Sequence, residues 1–127
     1  MSENVIVSKD EQNQQPIPTV WREVLVLIVE AIKSNNYSLI DSDSSIRLTS
    51  PSDRKRIEEN IEEYGCRLMS LPEEAWNTSA CQWMKGYWEV LVDLYTVEEG
   101  QSDLVLSIRV YEKNDEFEYE IMSVHVE

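Results

Sequence analysis

Hydrophobic positions change their spacing partway along this chain, and the change divides helices from strands. From Val20 to Ile32 they recur at helical intervals: Val20, Val24, Leu27, Ile28, Ala31 and Ile32 share a stripe. Trp21, Leu25, Val26 and Val29 widen that stripe to most of the circumference, which predicts a largely buried helix. Pro16-Ile17-Pro18 forces extended backbone before it, Thr19 is the expected cap, and Lys33 with Asn35-Asn36 suits its end. A second helix is predicted after Ser50-Pro51-Ser52-Asp53, a capping box with proline at the first helical position. Ile57, Ile61 and Tyr64 line one face of it, and Gly65 ends it. Arg54/Glu58 and Lys55/Glu59 are spaced as i,i+4 pairs on its solvent side.

Beyond Gly65 the period falls to two. Cys66 to Ser70 is a short strand candidate, and Leu71 to Trp76 reads as a turn or single helical turn. After Gly86, Trp88, Val90, Val92 and Leu94 face one way while Glu89, Leu91, Asp93 and Tyr95 face the other. Polar turns at Val97–Ser102 and Glu112–Glu116 bracket a strand with Leu104, Leu106, Ile108 and Val110 on one face. In the last strand, from Phe117 to Val126, the inward set changes parity. It passes from Phe117, Tyr119 and Ile121 to Met122, Val124 and Val126, which predicts a bulge. Tyr37–Ile40 and Ile46–Leu48 are brief extended candidates around a turn at Asp41–Ser45. The expected fold class is α+β, with two N-terminal helices packed on a curved antiparallel β-meander of three to five strands. Residues 1–15 are expected to be a flexible polar tail, and residues 16–127 a single domain.

Charge narrows the function. There are 25 acids and 11 bases among 127 residues, a net charge of −14. Neutralising phosphate needs clustered Lys and Arg, so no nucleic acid partner is expected, nor an anionic membrane surface. The only basic cluster, Arg54-Lys55-Arg56, reads as a solvated helix face. From Trp88 to Glu127 eleven acids stand against two bases, so this segment carries −9 of the total. An acidic surface of that kind steers a partner with a basic surface. No apolar run exceeds Val24–Val29, too short to span a bilayer, and the start lacks a signal-peptide pattern. A cytoplasmic location with reduced thiols is the resulting expectation. Oligomeric state is not readable from the pattern.

Candidate chemistry is sparse. Cys66 and Cys81 sit in no metal-ligand spacing, His125 is the only histidine, and the three glycines are isolated, so neither a metal nor another cofactor is expected. Glu89 and Asp93, four apart on a strand, stand about 13 Å apart, too far for a glycosidase-type carboxylate pair. No serine sits in a nucleophile-elbow pattern to pair with His125. What remains is a mixture of rings and carboxylates: Trp76, Trp83, Tyr87, Glu89, Asp93 and Tyr95 are the candidate binding residues. Rings around carboxylates can cage a cation or an apolar group, although large rings also simply fill cores.

Several runs resemble an uncharacterised bacterial domain family. They are Trp21–Leu25 with Glu30–Ile32, Tyr64-Gly65, Leu71–Trp76, Cys81–Trp83, Trp88–Leu94 and Glu98–Leu106. The likeness covers roughly residues 16–126 and transfers no activity. The order of segments also resembles small cone-shaped folds of the nuclear-transport-factor-2-like type and small acidic toxin-immunity proteins. The leading expectation is a non-enzymatic acidic protein-binding domain, with an immunity-type inhibitor of a basic partner as one form. Two alternatives stand beside it. One is a small-molecule-binding or enzymatic cone-shaped domain with a pocket of Trp76, Trp83, Asp93 and Tyr95. The other is a structural oligomer unit.

Overall fold

The computed structural model describes residues 4–41, 43–47 and 50–126. Within them it is an α+β protein with three α-helices and one six-stranded sheet. The strands are β1 (Gln15–Pro16), β2 (Ile46–Arg47), β3 (Ala80–Trp83), β4 (Trp88–Thr96), β5 (Gly100–Lys113) and β6 (Glu116–Val126). Their order across the sheet is β1-β3-β4-β5-β6-β2. The expected three to five strands become six because two-residue strands are added at both edges. The meander β3 to β6 is antiparallel, but β2 joins β6 in parallel, with Ile46 opposite Tyr119. A connection with α3 inside it makes that parallel pairing possible.

Helix α1 (Thr19–Lys33) buries Trp21, Leu25, Ile28, Val29, Ala31 and Ile32. Its N-cap is Pro18, with no side-chain cap. The Thr19 hydroxyl, expected to cap, instead accepts from the Val5 N–H at 2.7 Å, while Thr19 N–H donates to Val5 C=O. Helix α2 (Ser38–Asp41) replaces the extended piece expected at Tyr37–Ile40. Helix α3 (Pro51–Tyr64) starts on the predicted box, with Ser50 and Asp53 exchanging hydrogen bonds, and ends at Gly65 with φ +83°. A left-handed residue there suits glycine, which has no Cβ to clash. Of its expected pairs, Lys55–Glu59 forms at 3.9 Å, whereas Arg54 turns to Asp41 at 3.1 Å and stacks over Tyr37. The two long helices are not both N-terminal to the sheet, since α3 follows β1 and β2.

Cys66–Ser70 is not a strand of its own; Leu68 makes a single bridge to Thr96, and a 3-10 turn at Glu73–Asn77 follows. The core lies between the helices and one face of the sheet. Trp88, Val90, Val92 and Leu94 meet Leu104, Leu106, Ile108 and Val110, all at most 1% exposed, with Trp21, Leu25 and Ile28 above them. The parity change in β6 is present: Ile121 and Val124 both face inward, across a register shift opposite Ser107/Ile108. Val126, expected inward, is exposed.

Residues 4–16, by composition a tail, run against the molecule. Ser8 C=O accepts from Trp88 Nε1 at 2.9 Å, and Glu11 C=O accepts from Gln82 Nε2 at 2.9 Å. Gln15 and Pro16 pair with Cys81 and Ala80, and Lys9 sits 5.1 Å from the Trp83 ring centre. Main-chain groups make most of these bonds, so hydropathy gives no sign of them. Residues 1–3 of the expected tail lie outside the described residues.

Candidate functional site

The helices cover one face of the sheet. The other face is set by the alternate residues of β3 to β6 and β2. Strand register places Gln82, Glu89, Arg109, Glu120 and Arg47 opposite one another in a row across five strands. Carboxylates and guanidiniums alternate along that row, so each cation stands next to at least one anion. Opposite charges facing across strands each contribute roughly 0.2–1 kcal/mol.

Beside the row runs a line of rings. Tyr87 and Tyr111 stand 5.9 Å apart. Arg109 lies 4.6 Å from the Tyr87 ring centre and Arg47 5.3 Å from that of Tyr111. The Tyr111 hydroxyl donates to Glu120 Oε1 at 3.0 Å, and Arg47 pairs with Glu118. On the far side of the row Leu91, Ser107 and Ser123 stand opposite one another, as do Asp93, Val105 and His125 in the next register. Ser123 Oγ and His125 Nδ1 are 2.9 Å apart. The Asp93 N–H donates to Ser79 Oγ at 3.0 Å.

This arrangement gathers three of the six candidate residues, Tyr87, Glu89 and Asp93, on the uncovered face. Trp83 lies opposite Trp88 and faces the helices, with ring centres 4.5 Å apart. Trp76 is buried in the core, with Arg22 5.2 Å from its ring centre. Tyr95 is buried beyond the β4 register shift, and burial followed by the Glu74 and Asp93 carboxylates raises its hydroxyl above the ordinary value. Trp83 and Asp93 therefore point to opposite faces, and the four residues Trp76, Trp83, Asp93 and Tyr95 do not line one cavity.

Arg47, Arg109, Tyr111 and Glu120 belong to the face and were not among the sequence candidates. Arg109 and Tyr111 alternate with Ile108 and Val110, so their outward direction was readable. Their alignment with Glu89 and Tyr87 depends on cross-strand register, which alternation alone does not supply.

Nucleophilic chemistry has no support in the thiols. Both cysteines are free. Burial pushes Cys81 up to about 11, and burial with the Glu99 and Glu98 carboxylates raises Cys66. Reactive thiols need the opposite shift. Among the described residues no group of three His, Cys, Asp or Glu is placed to hold a metal ion, and no helix is long and apolar enough to cross a membrane.

Three helices against one face of a mostly antiparallel open sheet, with the other face bearing a Tyr/Arg/Glu ladder, define the class: an α+β domain with a half-buried ladder on the sheet face opposite its helices. The chain belongs to the family described as a domain of unknown function (DUF7668), whose model matches residues 29–127. No curated protein and no solved structure matches it.

Proposed function

We propose that this is a non-enzymatic protein-binding domain whose uncovered sheet face receives a partner with a basic surface. The observation that carries the reading is the Tyr87/Tyr111 pair, with Arg109 and Arg47 stacked over its rings, on the sheet face opposite the α-helices. Tyrosine and arginine are the residue types that dominate interface cores, and rings fixed before binding lose little entropy on docking. The acids concentrate at the two ends of this face. The β4–β5 turn carries Glu98 and Glu99, which bind Arg67 and Tyr64, with Asp103 just beyond; at the other end Glu112, paired with Lys9, lies near the end of β5, Asp115 in the turn and Glu116 at the start of β6. Acidic turns at both ends with rings between them suit electrostatic approach followed by contact of the rings. An immunity-type inhibitor of a basic toxin in the cytoplasm is one form such a protein takes.

The test is retention of a partner from source lysate on the immobilised protein. At low salt a basic protein is retained, and about 0.5 M salt releases it, because surface charge is screened within a few ångströms there. A Tyr87→Ala/Glu89→Lys variant loses it. Absence of any retained protein at low salt, or equal retention by the variant, overturns the reading.

A further inference from the structure

The surface carries a second, chemically different feature, on α1. Trp21, Leu25, Ile28, Val29 and Ile32 hold this helix on the sheet. A helix so anchored is expected to be polar on its remaining arc. Here that arc is mixed, with apolar side chains among its charged ones. Val20 is 61% exposed, and Val24, Val26 and Leu27 are only partly covered. The last three line a groove of about 290 Å³ together with Glu23, Glu30 and Asp43.

The three carboxylates differ in what they have left to bind. Glu30 is bound by Lys33 at 2.8 Å and Ser70 at 2.6 Å, which together lower its carboxyl below the usual range. Asp43 uses Oδ1 for the amide and hydroxyl of Ser45. Glu23 makes no ion pair among the described residues. An apolar floor edged by carboxylates, one of them free, is complementary to an aliphatic side chain flanked by cations. Glu23 and Glu30 are seven residues apart, about 10.5 Å along the axis. A helix laid beside α1 with Lys or Arg one heptad apart around a central Leu matches that spacing.

We infer that the α1 groove docks a cationic amphipathic helix from another protein, separately from the open sheet face. A second copy of this chain fits poorly, because each copy carries −14.

The probe is a fluorescein-labelled Leu/Lys amphipathic peptide of about fourteen residues, long enough to fold on contact. Fluorescence anisotropy with the full chain follows its binding, beside a Leu→Ser and a Lys→Glu version of the peptide. Binding of the Leu/Lys peptide alone is expected, with amide shifts confined to residues 23–30 and 43. Glu23→Lys, at an exposed position that does not threaten the fold, weakens binding roughly three- to ten-fold at low salt, and the effect fades at about 0.5 M. Val24→Thr, which keeps the branched shape but puts a hydroxyl on the apolar floor, weakens it a few-fold at both salts. Glu89→Lys leaves it unchanged, so failure of the open-face reading and failure of this one are separable. Equal binding of the Leu→Ser peptide, equal loss in Glu89→Lys, or a concentration-dependent dimer dissolved by Glu23→Lys overturns the inference.

Discussion

The two faces of the sheet are built from the same strands and obey opposite rules. On β4, Trp88, Val90, Val92 and Leu94 are at most 1% exposed, while Glu89, Leu91 and Asp93 between them are half-buried. The inner residues are held by packing density, where one lost methylene is felt. The outer ones are held by pairwise contacts between rings, guanidiniums and carboxylates, each worth a fraction of a kcal/mol near water. Stability should therefore reside in one face and recognition in the other.

Substitutions can break that division, and the largest effect belongs to the inner face. Trp88→Ala removes a fully buried ring that touches Trp21 and Trp83 and leaves Ser8 C=O without its donor. A loss of about 3–5 kcal/mol in urea unfolding is expected. Tyr87→Ala, one residue earlier and on the other face, is expected to lose under about 1 kcal/mol. Equal losses would sink the comparison.

Alkaline unfolding tests the inner face at a second point. Burial, with Asp43 as the lesser cause, pushes the Tyr119 hydroxyl up to about 12. The unfolded phenol titrates near 10, so between these values the unfolded chain releases a proton that the folded chain keeps. The contribution is complete below pH 10 and is lost as pH rises toward 12. Stability should fall by on the order of 2 kcal/mol across that window. Tyr119→Phe should flatten that part of the profile.

Smaller effects sharpen the description of the outer face. A double-mutant cycle on Tyr87 and Arg109 is expected to return a coupling of about 0.5–1 kcal/mol, for a cation over a partly exposed ring. A coupling of zero would mean that Arg109 does not hold the ring. Glu89→Gln keeps the shape and removes one charge. It should change stability by less than about 0.5 kcal/mol, which chemical denaturation can check.

Legibility followed the range of the interaction. Helix α3 was readable to its ends, because Ser50, Pro51, Asp53 and Gly65 act within one turn of where they stand. The alternation of β4 and the parity change of β6 were readable for the same reason. The Thr19 cap was misassigned because its hydroxyl serves Val5, fourteen residues away. Helix α2 has four residues, too few for a period to register. The parallel pairing of β2 with β6 joins segments more than seventy residues apart, and no local pattern encodes it. In the candidate site, Tyr87, Glu89 and Asp93 were legible as one face of one strand. Trp76 and Trp83 were drawn in by residue type, and the core claimed them. The ladder itself depended on register, so Arg47, Arg109, Tyr111 and Glu120 went unseen.

Trp21, Leu25 and Ile28, all fully buried, precede Val29, where the family match begins. The recognisable span and the cooperative folding unit therefore have different boundaries. A fragment cut at Val29 would keep every strand of the meander yet leave Trp88 without the Trp21 ring 5.2 Å away. It would present to water the apolar floor that α1 normally roofs. Anyone producing this domain for screening should set the first residue by the roof and not by the match; the shorter piece is expected to aggregate.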